Sequence, residues 1–184
     1  MERKLHIINL RYREDRLKLL NNQLFEQNLV GCLWPGILDL GNHKRGISKA
    51  HKQIVYHAKQ QNLPSITIAE DDIKFTDLGA FDYYIKSEPA DYDLYLGGIY
   101  FGNQKIDNSV EEFAGLTLYK IKQKFYDTFL SINEERDLDR ELSKKGKFLV
   151  CDPFVAIQHN GFSDNTKGHV NYDSLLINKK LFMQ

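Results

Sequence analysis

Short apolar runs alternate with helical patterns along the first half of this 184-residue chain. Residues 5–10 form an apolar run typical of a buried β-strand, and the leucines that follow, up to about Asn28, recur at helical spacing. Residues 47–58 carry apolar or small side chains at offsets of 0, 3, 4, 7, 8 and 11, which is one face of an amphipathic helix. Residues 65–69 are a run rich in β-branched residues and too short for a helix, so they predict a central strand.

The second half continues the alternation. Its pattern predicts a helix over 76–86, two helices flanking 131–134, and strands over 92–96, 113–120, 147–151 and 154–158. We interpret the segment from Trp34 to Arg45 as loop, because Trp34-Pro35-Gly36 breaks the helical pattern.

No repeat, low-complexity stretch or linker divides the chain. We therefore predict one α/β domain over residues 1–184, Rossmann-like, with a mainly parallel central sheet flanked by helices. In such sheets ligands bind outside the carboxyl ends of the strands. The chemically informative residues should accordingly follow strands.

Composition and charge narrow the classes of partner. Lysine plus arginine and aspartate plus glutamate balance at 25 each, so there is no overall positive field to hold nucleic acid. The sequence has two cysteines, and we see neither a secretion signal nor a run of about 20 apolar residues. We expect a cytoplasmic protein with at most peripheral membrane contact.

Three consecutive carboxylates, Glu70-Asp71-Asp72, follow the predicted central strand. Their mutual repulsion is costly, and a bound divalent cation is a physical reason to tolerate it. Because successive side chains of an extended segment point to opposite sides, Glu70 and Asp72 can face one ion while Asp71 points away. The alternative is a solvated loop whose acids cap the next helix.

Residues 5–16, 45–58 and 66–72 form three stretches with informative motifs. In this order and separation they resemble the family-25 glycosyltransferases, which include lipopolysaccharide and collagen galactosyltransferases. Ile8-Asn9-Leu10 with Asp15-Arg16 matches the opening strand and Asp-Arg pair, and Glu70-Asp71-Asp72 falls at the family's Glu-Asp-Asp motif. Residues 46–51 keep only part of a Gly-Cys-x-x-Ser-His helix start, since Ile47 replaces the cysteine and Ala50 the serine. Residues 93–97, 156–158 and 163–164 match more loosely.

The resemblance implies a GT-A fold, a UDP-sugar donor, Mn²⁺ or Mg²⁺ as cofactor, and inversion at the anomeric carbon. It also implies transfer of a hexose such as galactose to a saccharide or lipid-linked glycan acceptor. Surface glycan or lipopolysaccharide biosynthesis is the corresponding role.

Five residues are predicted to bind the nucleotide-sugar. Asn9, Arg11 and Arg16 lie at the exit of the first strand, where donors and positive charge can contact base, ribose or phosphates. An exposed helical ion pair is the alternative for Arg16. His51 contacts substrate or is a core histidine bonded to backbone. Asp71 completes the set.

Glu70 and Asp72 are the predicted metal ligands, and His159 is added as a third because related GT-A enzymes often use a late histidine. An inverting transfer also needs a base to take the proton of the acceptor hydroxyl, and Asp139 is our candidate. Asp137 and Asp152 are its rivals. Acids near a helix start are also favoured by the helix dipole alone.

Two other functions remain open. A sugar nucleotidyltransferase also places acids and a metal around a nucleotide, but it usually has a glycine-rich basic loop after the first strand, and residues 11–15 contain no glycine. A non-catalytic nucleotide- or glycan-binding protein on the same fold is the second alternative. Tyr100 and Phe101 are candidates for stacking on an acceptor sugar, or are ordinary core residues.

Overall fold

A computed structural model describes residues 3–164 and 166–184. Its helices are α1 (Glu14–Glu26), α2 (His43–Gln60), α3 (Ala80–Lys86), α4 (Tyr126–Ser131) and α5 (Leu138–Leu142). Its strands are β1 (Lys4–Asn9), β2 (Val30–Pro35), β3 (Ser65–Glu70), β4 (Ile73–Phe75), β5 (Leu94–Leu96), β6 (Ser109–Val110), β7 (Leu118–Lys122), β8 (Phe148–Val150), β9 (Ala156–Gln158), β10 (Gly161–Ser163) and β11 (Gly168–Val170).

The central sheet has seven strands in the order β2-β1-β3-β7-β5-β8-β6. Strands β2, β1, β3, β5 and β8 run in one direction, while β7 and β6 run against them. The prediction of a mainly parallel sheet flanked by helices is confirmed. The carboxyl ends of β1 and β3 and the amino end of β7 therefore meet at one edge of the sheet.

Each face of the sheet is covered by helices through its own hydrophobic cluster. On one face Ile54 and Val55 of α2 pack in a cluster that includes Ile66 and Ile68 of β3. On the other face Leu20 of α1 belongs to a cluster that also contains residues of β1 and α3. Alternate residues of each strand reach opposite faces, so β3 and β1 can serve both layers.

The loop predicted between Trp34 and Arg45 is wrong at both ends. Residues 30–35 form β2, which pairs in parallel with β1 along its whole length, from Lys4↔Val30 to Asn9↔Pro35. As an edge strand β2 is largely exposed, so it lacks the hydrophobic signal of a buried strand, and a proline is tolerated at its end.

Helix α2 begins earlier than its apolar pattern indicates. The side chain of Asn42 accepts hydrogen bonds from the backbone N–H groups of Lys44 and Arg45, which is an N-cap that starts the helix at His43. The first turn is polar and carries no apolar periodicity, so its sequence pattern does not distinguish it from the preceding loop.

Three further predictions need correction. The strand expected over 113–120 is β7, displaced to Leu118–Lys122, and the helix expected over 76–86 is confined to Ala80–Lys86. The strand expected over 154–158 is β9, which pairs with β4 in a separate two-stranded sheet and not with the central one. Hydrophobicity alone does not tell which strand a short apolar run will pair with.

Gly46 allows the loop after β2 to lie against α2. A Cβ atom at this position would stand 2.3 Å from the carbonyl oxygen of Ile37. Alanine favours a helix by about 1 kcal/mol over glycine, but overpacking against backbone costs about 1–3 kcal/mol. We therefore expect Gly46→Ala to lower the free energy of unfolding by about 1 kcal/mol in urea denaturation. Gly41→Ala in the same loop, whose Cβ would lie 3.5 Å from its nearest neighbour, should be close to neutral, and equal losses in both variants would contradict this account.

Over the residues that the structure describes, no helix is both long enough and apolar enough to cross a bilayer.

Candidate active site

A cavity of about 370 Å³ opens at the edge where β1 and β3 end. This volume lies in the range of small-ligand sites. Its walls come from residues far apart in the sequence: Ile8, Leu10, Arg16, Gly36, Ile37, Lys44, Ile47, Ala50, His51, Glu70, Asp71, Asp72, Tyr100, Ala114, Gly115, Leu116, Asp137, Leu138, Asp139, Gln158, Ser163, Asp164, Tyr172 and Leu175. The cavity therefore lies where ligands bind in sheets of this kind.

The acidic triplet occupies the centre of this edge. Glu70 is the last residue of β3, and Asp71 and Asp72 form the turn before β4. The Nε2 amide of Gln158 donates to Glu70 Oε2 at 2.9 Å and to Asp72 Oδ1 at 3.2 Å. Two carboxylate oxygens from different residues thus converge on one point.

Asp71 has different hydrogen-bond partners. Its carboxylate accepts from Asn9 Nδ2 at 2.9 Å and from Arg16 at 2.8 Å. Arg16 also lies 3.0 Å from Asp72 Oδ2 and donates to the carbonyl oxygen of Phe162 in β10 at 3.0 Å. Arg16 therefore joins the acids to the β10 strand, and it does so as a largely buried side chain, unlike an exposed helical ion pair.

Burial governs the ionisation of the triplet. Burial and the charge of Glu70 raise the pKa of Asp72 to about 7. Burial also raises the pKa of Asp71, although Arg16 and Asn9 oppose it. Burial alone would raise the pKa of Glu70, but the hydrogen bond from His51, together with Arg16 and Gln158, leaves it lowered. The site therefore holds more buried negative charge than Arg16 compensates.

His51 contacts the triplet and not the open cavity alone. Its Nε2 lies 3.2 Å from Glu70 Oε1, and its Nδ1 lies 2.9 Å from the hydroxyl of Tyr119 in β7. Its ring is 1% exposed. The backbone partner foreseen for a core histidine is replaced by two side chains.

The other arginines near β1 differ in burial. Arg11 is exposed on the turn after β1 and does not line the cavity. Arg13 is buried and pairs with Asp15 and Asp164, so it fixes the β10 strand to the start of α1. In the sequence nothing in the turn after β1 distinguishes Arg13 from Arg11, because Asp164, the partner of Arg13, is 151 residues away.

His159 does not join Glu70 and Asp72, which corrects its assignment as the third metal ligand. Because the side chain of Gln158 faces the acids, the next residue in an extended chain faces away from them. Its backbone N–H donates to the carbonyl oxygen of Asp72 at 2.8 Å, but its ring does not line the cavity. Burial and the nearby charge of Lys74 lower the pKa of His159.

The chemistry of Glu70 and Asp72 nevertheless suits a hard divalent cation. Within the described ranges no group of three His, Cys, Asp or Glu side chains has a metal-binding arrangement. Magnesium-like ions commonly take one or two protein carboxylates and complete their shell with water and substrate phosphates. Glu70 and Asp72 fit that pattern as two carboxylates that line one cavity.

Asp139 lines the same cavity from α5. Its Oδ2 accepts from the backbone N–H of Gly115 at 3.0 Å, and its Oδ1 accepts from that of Arg140 at 2.8 Å. Burial raises the pKa of Asp139 in spite of these bonds, which strengthens the carboxylate as a base. The helix that carries it is only Leu138–Leu142.

The two rival bases occupy different surroundings. Asp137 also lines the cavity, but it pairs with Lys44 at 2.7 Å and is about half exposed. Asp152 lies outside the cavity and is 3.9 Å from Lys180. Of the three acids, Asp139 is the one that lines the cavity with a carboxylate whose pKa is raised by burial.

Two tyrosines that line the cavity have rings 5.0 Å apart, Tyr100 and Tyr172. The hydroxyl of Tyr100 accepts a hydrogen bond from the backbone N–H of Gln158. Phe101 is half exposed outside the cavity, with the guanidinium of Arg140 4.3 Å above its ring. Tyr172 was missed in the sequence because nothing near it signals a ligand site.

Comparisons with known proteins bear on the fold. Neither a protein-family model nor a curated protein matches the sequence. A solved glycosyltransferase involved in glycosylation of the major capsid of PBCV-1 superimposes with a TM-score of 0.52 over 82% of this chain and 81% of that one, at 7% identity.

Two other solved structures give lower scores. HddC from Yersinia pseudotuberculosis complexed with GMP-PN has a TM-score of 0.45 at 12% identity, covering 80% of this chain and 89% of that one. A mutant Drosophila β-1,4-galactosyltransferase 7 in complex with manganese, UDP-Gal and xylobiose has a TM-score of 0.48 at 12% identity, covering 74% of this chain and 55% of that one. These scores are too low to carry an argument, and membership of family 25 stays a prediction. The chain shares with the PBCV-1 glycosyltransferase structure a mixed α/β fold, in which helices flank a large, mostly parallel central sheet.

Proposed function

We propose that this protein is a metal-dependent glycosyltransferase that moves a hexose from a nucleotide-sugar, a UDP-sugar, to a saccharide hydroxyl with inversion. One observation carries the proposal: a single cavity brings the acids Glu70, Asp71 and Asp72 together with a separate, partly buried carboxylate, Asp139. Transfer from a nucleoside diphosphate needs both a site for the leaving group and a base for the acceptor.

Glu70 and Asp72 are the residues that would hold Mn²⁺ or Mg²⁺. When bound, such an ion neutralises the charge that develops on the diphosphate leaving group. Arg16 already has its guanidinium at these acids, and its planar donors suit phosphate oxygens as well as carboxylates. Asn9 holds Asp71 and so acts on the donor site through that carboxylate. Arg11, on the exposed turn, remains available only to the outer part of a nucleotide.

The acceptor is activated by Asp139 in this proposal. Its carboxylate takes the proton from the acceptor hydroxyl, whose oxygen bonds to the anomeric carbon as the bond from that carbon to the diphosphate oxygen breaks. Attack from the face opposite the leaving group inverts the anomeric centre, and a nucleoside diphosphate departs. The raised pKa of Asp139 places its basicity closer to neutral pH.

The resemblance to lipopolysaccharide and collagen galactosyltransferases supports galactose as the hexose and a saccharide or lipid-linked glycan as the acceptor. We place the reaction in surface glycan or lipopolysaccharide assembly, in the cytoplasm, with at most peripheral membrane contact.

A thermal-shift screen tests this function directly. The purified protein is melted with UDP, GDP, CMP and their sugars, with and without Mn²⁺. A ligand at a hundred times its Kd stabilises the native state by about 2.7 kcal/mol, which raises the Tm of a chain of this length by roughly 5–10 °C. We expect such a shift with UDP or a UDP-sugar, and only when Mn²⁺ is present.

The other outcomes separate the alternatives. No shift with any nucleotide would favour a glycan-binding protein without transfer activity. Pyrophosphate in place of a free nucleoside diphosphate as product would identify a sugar nucleotidyltransferase. A shift of equal size without the metal would remove the metal from the proposal while leaving the nucleotide.

A further inference from the structure

A tyrosine that does not line the cavity is connected to the acidic triplet through His51. Tyr119 lies in β7 and is completely buried, and its hydroxyl is 2.9 Å from Nδ1 of His51. His51 reaches Glu70 Oε1 with its other ring nitrogen. Three side chains from a strand, a helix and a strand end thus form one continuous chain of hydrogen bonds.

The direction of these hydrogen bonds follows from the chemistry of the groups. An ionised carboxylate only accepts, so the contact with Glu70 needs the proton on Nε2 of His51. In the neutral ring Nδ1 then accepts, and within residues 3–164 and 166–184 its hydrogen-bond partner is the O–H of Tyr119. Tyr119 therefore favours the tautomer and the ring orientation that bind Glu70.

This arrangement leaves the second oxygen of Glu70 directed at its neighbour acid. Oε1 is held by His51, while Oε2 accepts from the same Gln158 amide that contacts Asp72. Groups that bond to a metal ligand from behind fix its orientation in this way, and their loss typically weakens metal binding about 10–100-fold.

A hydroxyl in the same core serves as a contrast. Tyr126 is as deeply buried as Tyr119, but its hydroxyl donates to the backbone carbonyl of Leu63 at 3.1 Å. That bond satisfies a backbone group far from the acids. The hydroxyl of Tyr119 instead forms its hydrogen bond with His51, whose side chain contacts the candidate metal ligand Glu70.

We propose that Tyr119 is a positioning residue of the active site, which orients His51 so that its Nε2–H holds Glu70 toward Asp72. The inference rests on the proposed function, since the hydrogen bond between Tyr119 and His51 affects metal binding only if Glu70 and Asp72 bind a cation.

The test compares Tyr119→Phe with the matched variant Tyr126→Phe. Each loses one buried hydroxyl and its hydrogen bond, so both should lose a similar amount of stability in urea. The Kd for Mn²⁺ alone is measured from the electron paramagnetic resonance signal of the free ion. We expect binding about tenfold weaker in Tyr119→Phe and unchanged in Tyr126→Phe. His51→Gln, whose amide is not oriented by Tyr119, should also bind Mn²⁺ more weakly and serves if Tyr119→Phe folds poorly.

Histidine ¹⁵N spectra of the metal-free protein provide a second readout. They should show His51 protonated at Nε2, with an Nδ1 signal that moves in Tyr119→Phe as the O–H donor is lost. A proton on Nδ1 of the wild-type ring, or equal Mn²⁺ affinity in both tyrosine variants, would overturn the role of Tyr119. If the wild-type protein binds no Mn²⁺, the metal site and the role of Tyr119 in it are both overturned. An unchanged ¹⁵N pattern of His51 in that protein would show that the metal site had failed while the hydrogen-bond chain was intact.

Discussion

Asp72→Asn is expected to lower the rate of glycosyl transfer at least about a hundredfold and, at the same time, to stabilise the metal-free protein. The amide has the shape of the carboxylate but no charge, so it is a poor substitute as a cation ligand. The carboxylate itself is unfavourable in the folded protein without a cation, because burial and the charge of Glu70 raise its pKa to about 7. Activity and stability should therefore change in opposite directions.

The sign of the pH dependence follows from the raised pKa. A folded-state pKa above the ordinary value of 3.8 means that the folded protein binds the proton more tightly than the unfolded chain. At pH 8 the ionised Asp72 reduces stability. This cost shrinks as the pH falls below about 7, is only partly removed at pH 5, and ends below the unfolded value of 3.8. The stability gained by Asp72→Asn should be largest at pH 8 and fade toward pH 5.

The measurements are nucleoside diphosphate release for activity and urea unfolding in a chelator at both pH values for stability. Asp127→Asn is the control, because Asp127 is exposed and pairs with Lys59 at the surface. Undiminished transfer by Asp72→Asn would exclude its role as a ligand. A loss of stability at pH 8 would show that Arg16 compensates the charge of Asp72 in full.

The acidic triplet was predictable because its signal is local. A short apolar run followed directly by Glu70-Asp71-Asp72 fixes both the strand and the position of the charges at its end, and β3 ends at Glu70 in the structure. The alternation of side chains predicts that Glu70 and Asp72 face one ion while Asp71 points away. In the structure both carboxylates accept from Gln158, and the ion itself stays a prediction.

The rest of the site depends on contacts between distant parts of the chain. Gln158 meets Glu70 across 88 residues, and Tyr119 meets His51 across 68. Such pairs follow from strand order and register, which the periodicity of one sequence does not contain. The same cause explains the error at His159, since a shift of one residue along a strand turns a side chain to the opposite face.

The edge strand β2 and the first turn of α2 also could not be predicted from the hydrophobic pattern. β2 is stabilised by hydrogen bonds to β1 while its side chains stay largely in solvent, so hydrophobicity gives little sign of it. The polar first turn of α2 is fixed by the cap at Asn42. Both elements contribute to the cavity, because the chain between them supplies Gly36 and Ile37 to its wall.

Asp139→Asn is expected to reduce transfer to an acceptor by about a hundredfold to ten-thousandfold while leaving nucleotide-sugar binding unchanged, because a general base contributes that much to the rate and does not hold the donor. The asparagine oxygen can still accept from the backbone N–H of Gly115, so the segments around α5 should keep their positions. The loss should appear in kcat, with Mn²⁺-dependent thermal shifts by UDP-sugars equal to those of the wild type.

Two further variants serve as controls for Asp139→Asn. Asp152→Asn lies outside the cavity and should transfer at the wild-type rate. Asp137→Asn removes the rival carboxylate, which Lys44 holds at 2.7 Å as a partner of fixed charge. Asp137 is held in an ion pair at the rim, whereas burial raises the pKa of Asp139, so the two acids should differ in their effect on kcat although they line the same cavity. A loss confined to Asp137→Asn would transfer the role of base to that residue, and normal turnover in both would mean that the proton leaves by a route without either carboxylate.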